Sequence, residues 1–251
     1  MQHLTILTGA SRGMGRAMAE QLCRADALVL CISRGRAEAL DALARERGAT
    51  LAQWSADLAD PAPVATRLSA WLGEHGAKQF ASATLINNAG VVGGIGPLDA
   101  SGALAIATAL RVDLEAPMQL TAAFIAATSG WSVPRRVLNI SSGLGRRPMA
   151  GAALYCAAKA GMDHFSRCVA LEQAGRANPV RIVSLAPGII DTDMQTELRA
   201  GDPMGFPEHA GFVQLHQTGA LTSPATAAAR VLGYLARADF GLQPVADVRD
   251  A

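Results

Sequence analysis

The stretch T-G-A-S-R-G-M-G, residues 8–15, follows directly on the apolar run L-T-I-L-T at 4–8 and opens into an amphipathic segment at 13–25. A buried strand, a glycine turn and a helix in immediate succession form a cradle for an anion. Gly9 turns tightly, Gly13 lets the backbone approach a pyrophosphate, and Gly15 lets helix and strand pack closely, while the helix N-terminus attracts negative charge. A glycine-rich turn by itself is as often structural as functional, so the rest of the chain has to support the reading.

Working outward, short apolar runs at 28–32, 84–87, 136–140 and 180–185 read as further fully buried strands. Between them lie helix-like segments at 36–47, 62–74, 101–129 with a break, and 152–174, and another helix restarts at Ser223, where the serine caps and Pro224 takes the first turn. This β-α alternation predicts an α/β fold of Rossmann type: a single domain, 1–251, with a doubly wound parallel sheet and helices on both faces. The stretch 187–221, with three prolines and five glycines, reads as an irregular, mobile lid over a substrate site.

Composition narrows the function classes. In 251 residues, half are hydrophobic and 17% are charged, with a net charge of +1. That is enough for one well-buried domain, and it offers no basic field for nucleic acid and no polybasic surface for a membrane. Cys23, Cys31, Cys156 and Cys168 form no C-x-x-C pair and read as packed, reduced thiols rather than zinc ligands, so no metal is expected. Together with an N-terminus that lacks a signal-peptide pattern, this predicts a cytoplasmic protein acting on a small molecule.

The run A-L-Y-C-A-A-K-A-G at 153–161 has the small apolar residues of a buried helix, yet carries Tyr155 and Lys159 four positions apart, on one helix face. Taken alone, the pair reads as a core tyrosine beside a snorkelling lysine.

Six motifs in order change that reading: the T-G-x-x-x-G-x-G turn, A-D-L at 56–58, N-N-A-G at 87–90, N-I-S-S at 139–142, Tyr155-x-x-x-Lys159, and P-G-I-I-D-T at 187–192. Together they resemble the short-chain dehydrogenase/reductase family. The resemblance implies a catalytic set of Ser142, Tyr155 and Lys159. Tyrosine is the general acid for a carbonyl oxygen, and the lysine cation together with the positive charge of oxidised nicotinamide is expected to lower its pKa toward working pH; Ser142 orients the substrate. It further implies that Ser11, Arg12 and Met14 join the glycines in holding a nicotinamide cofactor. Asp57 with Leu58 would meet the adenine, and Asn88, Ala89 and Gly90 would line the cleft. Lys159 and Tyr155 reach the nicotinamide ribose, and Pro187, Gly188, Ile190, Thr192 and Met194 close over the nicotinamide end.

Cofactor choice rests on C-I-S-R at 31–34, where Ser33 and Arg34 stand in place of an acidic residue. Arg34, with Arg12, can clamp a 2′-phosphate, which favours NADP(H); the other reading is two solvated arginines. The family asparagine on the helix after N-N-A-G is Asp113 here, assigned to the proton relay by resemblance, with an ordinary helix-start aspartate as the other reading.

Within the family, L-Y-C-A-A-K-A-G-M-D at 154–163, A-P-G-I-I-D-T-D-M-Q at 186–195 and F-x-x-L-x-x-x-G-x-L-x-S-P at 212–224 resemble the sepiapterin reductases and the bacterial benzil reductases. That branch implies reduction of activated ketones, either pterin side chains or aromatic 1,2-diketones. Ser142 and Met194 are the expected substrate contacts; Met149, Met204, Phe206 and Phe212 are further pocket candidates. Asp247, seven residues after Phe240, matches the aspartate that anchors a pterin by its aminopyrimidine edge; the alternative is a solvated tail residue. The Ala-rich helices at 101–129 and 152–174 resemble those that pair in the family's homodimers and homotetramers. A nicotinamide-binding regulator without turnover is the competing function.

Overall fold

The computed structural model describes residues 1–250. Seven parallel strands form one sheet: β1 (Gln2–Thr8), β2 (Ala27–Ser33), β3 (Thr50–Ser55), β4 (Phe80–Asn87), β5 (Arg135–Ile140), β6 (Val180–Ala186) and β7 (Val245–Asp247). Their spatial order is β3-β2-β1-β4-β5-β6-β7. The chain runs outward from β1 to β3, returns, and builds the other half from β4, so the order reverses between β1 and β4. In open parallel sheets that reversal leaves a crevice beyond the carboxyl ends of the strands.

Both faces of the sheet are covered, which explains the almost unbroken apolar runs. Leu7, Val29 and Cys31 face one layer, where α1 (Gly13–Leu22), α2 (Glu38–Glu46) and α9 (Pro224–Ala236) contribute Met18, Leu40 and Val231. Leu4, Ile6 and Leu30 face the other, against α3 (Pro61–Gly73), α5 (Ala116–Ala127) and α6 (Ala153–Ala174), with Leu68, Phe124 and Val169. Each such leucine or phenylalanine, removed from water, contributes roughly 1.5–3 kcal/mol. Ser223 caps α9 by accepting from the Thr226 amide at 3.2 Å, and Pro224 occupies its first turn.

Several local expectations are revised. β3 and β7 were not anticipated: β3 is a half-exposed edge strand of mixed polarity, and β7 has only three residues. The break expected in 101–129 is no break: α4 (Ala103–Leu110) runs through a π-turn at Arg111–Glu115 into α5. The expected irregular lid at 187–221 holds α7 (Asp193–Arg199) and α8 (His209–Gln217), with Phe206 fully buried between them. Phe206 stacks on Phe212 at 5.5 Å, so the segment is a packed wall. The cysteines are all unbridged, but Cys168 is exposed rather than packed. No helix among the described residues is long and apolar enough to cross a membrane.

One buried side chain ties α6 to the sheet. Asp163 Oδ1 accepts from Ser141 Oγ at 2.6 Å and Ser184 Oγ at 2.7 Å, and its Oδ2 accepts from Arg146 Nε at 3.1 Å. Asp163→Ala strands two buried hydroxyls and is expected to cost about 3 kcal/mol. A lower urea midpoint at unchanged slope is the measurement.

Candidate active site

A cleft of about 730 Å³ runs along the carboxyl ends of the strands, from Arg34 and Asp57 at one end to Phe212 and Arg249 at the other. Its floor is the glycine turn. Gly9 has a φ of 71°, and a Cβ on Gly15 would lie 2.1 Å from the Gly9 carbonyl oxygen, so α1 starts closer to β1 than any side chain allows. Thr8, which was not anticipated, locks this turn: its hydroxyl accepts from the amides of Asn88 at 2.9 Å and Ala89 at 3.0 Å. The Asn88 side chain donates to the carbonyls of Thr8 at 2.9 Å and Gly9 at 3.3 Å, so it braces the turn while also lining the cleft.

The residues expected around a nicotinamide cofactor come together on this cleft with distinct local duties. Ser11, Gly13, Met14, Leu58, Gly90, Pro187, Gly188 and Ile190 line it. The Ser33 hydroxyl is used internally, accepting from the Ala10 amide at 2.9 Å. Asp57 accepts from the Ala59 amide at 2.9 Å and shapes the turn after β3. Arg34 is exposed at the cleft edge and makes no ion pair among the described residues. Arg12, expected beside Arg34, instead pairs with Asp193 at 2.8 Å. Both partners are largely exposed, so the pair is worth little and exchanges readily. The fit to a dinucleotide is good: a side-chain-free cradle, a helix N-terminus, and an exposed cation at the cleft edge without an acid partner among the described residues.

At the other end of the cleft, Ser142, Tyr155 and Lys159 converge. Ser142 lies two residues past the end of β5 and caps the turn at 143–145 by accepting from the Leu144 amide at 3.1 Å. Lys159 is buried; its Nζ donates to the Ile140 carbonyl at 3.1 Å and lies 5.4 Å from the centre of the Tyr155 ring. Burial pushes the Tyr155 phenol above its ordinary range. Lys159 and Ser142 act to lower it and Asp113 to raise it, and burial wins. The lowering expected from the sequence belongs to the state with oxidised nicotinamide bound; in the free protein the direction is upward. The free protein holds the phenol protonated, the form from which a proton can be given to a carbonyl oxygen.

Asp113 is fully buried in the π-turn. Its Oδ1 accepts from the Val91 amide at 2.9 Å, and its Oδ2 has no partner among the described residues. Gly90 separates it from Lys159: a Cβ there would lie 3.1 Å from Asp113 Oδ1 and 3.6 Å from Lys159 Nζ. An acidic side chain thus stands close to the lysine across Gly90.

The far wall is an apolar cluster of Val92, Met149, Ala152, Leu198 and Phe206, with Met194 and Phe212 packed on it. Met204 points to solvent instead, and the cluster's Val92 and Leu198 carried no sequence signal beyond hydrophobicity. Thr192 and Met194 line the cleft. Asp247 lies at the end of β7 beside Ala186, its carboxylate almost completely buried, so the solvated-tail alternative does not describe it. Arg249 holds that carboxylate well below its usual range. No group of three or more metal-ligating side chains occurs among the described residues.

Burial raises the Asp113 carboxyl above its ordinary value, outweighing Lys159 and the Val91 amide. A folded pKa above the unfolded one means the folded state binds the proton more tightly, so the ionised side chain costs stability once pH exceeds the unfolded value. Asp113→Asn keeps the Oδ1 acceptor and is expected to raise Tm, with a larger gain at pH 8 than at pH 4. Melting curves at the two pH values read it; an equal or lower Tm at pH 8 contradicts it.

Comparison with known proteins agrees with this geometry. Residues 3–203 match the family model described as short chain dehydrogenase. The chain is 36% identical to a benzil reductase ((S)-benzoin forming) of Bacillus cereus, over 94% of each chain. It is 33% identical to the sepiapterin reductase of Mus musculus, over 94% of this chain and 92% of that one. Among solved structures, a short-chain dehydrogenase/reductase from Burkholderia vietnamiensis is 35% identical, covers 99% of this chain and 98% of its own, and superposes with a TM-score of 0.66. With the glycine cradle, the parallel sheet and the serine, tyrosine and lysine at one cleft end, the chain belongs to the short-chain dehydrogenase/reductase family of oxidoreductases.

Proposed function

We propose that this chain is an NADPH-dependent carbonyl reductase acting on activated ketones, with aromatic 1,2-diketones and pterin side-chain ketones as the substrate classes. The observation that carries the reading is the convergence of a protonated Tyr155, the Ser142 hydroxyl and the buried Lys159 ammonium at one end of a cleft whose other end is Arg34, which makes no ion pair among the described residues. When bound, the reduced nicotinamide supplies the hydride. The chain supplies the rest. Ser142 donates to the substrate carbonyl and orients it. Tyr155 gives the phenolic proton to the oxygen as negative charge builds there, and Lys159 stabilises the phenolate left behind. The apolar wall of Val92, Leu198 and Met194 excludes water and accepts an aromatic ring.

The benzil and sepiapterin reductases among the relatives support the choice of substrate classes. Exposed Leu104, Leu110, Met118 and Leu171 on α4, α5 and α6 support a homo-oligomer, a homodimer or homotetramer.

With NADPH and a panel of diketones and pterins, absorbance at the nicotinamide band is expected to fall. Tyr155→Phe should abolish turnover while NADPH affinity stays within severalfold; Lys159→Met should damage both, because pKa partner and ribose donors are lost together. Wild-type silence across the panel favours a nicotinamide-binding regulator, and a fully active Tyr155→Phe removes the tyrosine from the chemistry.

Cofactor preference is tested separately. Arg34→Ala should lower kcat/KM for NADPH by about 10- to 100-fold, the value of charge-assisted bonds to one phosphate. The same variant should change kcat/KM for NADH little, and parallel losses with both cofactors contradict the assignment.

A further inference from the structure

The end of the cleft away from Arg34 carries a carboxylate that the chain has already satisfied from within. Asp247 terminates β7, next to Ala186 at the end of β6, and its side chain keeps only 8% of its surface exposed. Two residues on, in the short turn Val248–Asp250, Arg249 folds back over it. Nε donates to Oδ1 at 2.8 Å, Nη2 donates to Oδ2 at 2.6 Å, and the Arg249 amide adds a third bond to Oδ1 at 2.9 Å. Both residues line the cleft. Arg146 reaches the same corner, donating to the Ala246 carbonyl at 2.8 Å, but its guanidinium is paired with Asp163.

The two partners differ in how firmly they are held. The carboxylate is buried and built into the sheet edge, whereas the arginine side chain is 65% exposed. The two parallel N–H bonds that Arg249 makes form the pattern of any planar amidine-type edge: a guanidine, an amidine or an aminopyrimidine. A ligand bearing that edge meets an acceptor pair already filled by its own chemical equivalent, and binds only by displacing it. A ligand without N–H donors loses nothing, because the remaining N–H groups of Arg249 are donors for its oxygens.

We infer that Arg249 is an internal plug in the Asp247 subsite and the residue that sets substrate class, so that this chain takes donor-free carbonyl compounds such as aromatic 1,2-diketones and disfavours ketones carrying an amidine-type N–H pair. The inference rests on the proposed carbonyl reductase activity for its substrates, and it narrows the two substrate classes to one.

Two measurements test it. Isocytosine, a 2-amino-4-oxopyrimidine without a reducible ketone, is titrated calorimetrically into the full-length protein; Arg249→Ala is expected to bind it at least tenfold more tightly than wild type, and Arg249→Ala with Asp247→Asn to lose the gain. In turnover with NADPH, the ratio of kcat/KM for a pterin ketone to that for benzil is expected to rise at least tenfold in Arg249→Ala. If Arg249→Ala fails to fold by circular dichroism, Arg249→Lys carries the test, because lysine keeps the charge without the two-pronged geometry; a threefold tighter isocytosine complex is then expected. Equal affinity in wild type and variant, or a gain that survives Asp247→Asn, overturns the plug. A lower Tm with an unchanged substrate ratio also overturns it, leaving a structural staple. If wild type reduces no carbonyl but Arg249→Ala gains isocytosine binding, the proposed activity fails and the plug stands; if benzil is reduced and the isocytosine affinities are equal, the reverse holds.

Discussion

Asp163 holds together what the site needs. It sits one helical turn beyond Lys159, and its carboxylate gathers hydroxyls from the ends of two strands, Ser141 after β5 and Ser184 in β6. The first of these is the neighbour of Ser142. A single buried anion therefore sets the distance between the strand that presents the serine and the helix that presents the tyrosine and lysine. Being buried, it is satisfied by three donors in place of water, and Arg146 balances its charge. A second polar line runs beside it: Asn87 donates to Asn139 at 2.8 Å, and Asn139 donates to Ser166 at 3.0 Å, stitching β4, β5 and α6 at the same level. Apolar packing gives the layers their stability, while these directional bonds fix the position of α6 against β5 and β6.

The cleft that results has opposed electrostatic ends. At the chemical end, burial keeps the tyrosine protonated, and a buried lysine is faced by a buried carboxylate across a glycine. Asp113 weakens the effect of Lys159 on the phenol and so favours the protonated form of the tyrosine. At the adenosine end, charge is exposed and replaceable. Arg12 is held loosely by Asp193, and Arg34 stands free among the described residues.

Much of the molecule was legible because local pattern and burial agree. Strands covered on both faces must be continuously apolar, so L-T-I-L-T and L-V-L-C-I announce themselves; the edge strand β3, half exposed, does not. Tyr155 and Lys159 share a face because helical geometry places them four apart, and the glycine turn is legible because only glycine fits there. The helices within 187–221 were hidden by their prolines and glycines, which local reading takes for loop, yet Phe206 and Phe212 pack them into a wall.

By itself, then, the sequence determined the parallel sheet and the glycine turn, since each depends on neighbours within a few residues or on a repeating pattern, while the grouping of Ser142, Tyr155 and Lys159 was expected only from the six-motif resemblance. Only the tertiary structure decided the balance of charge. The tyrosine's protonation depends on burial by distant elements, and the Asn88 side chain is used on the glycine turn because the end of β4 lies beside the end of β1. Arg12 finds Asp193 only because the fold brings together positions 181 apart in the chain. The Asp247 carboxylate is buried because β7 joins the sheet edge, and its engagement by Arg249 is a matter of side-chain direction, which no spacing in the sequence encodes.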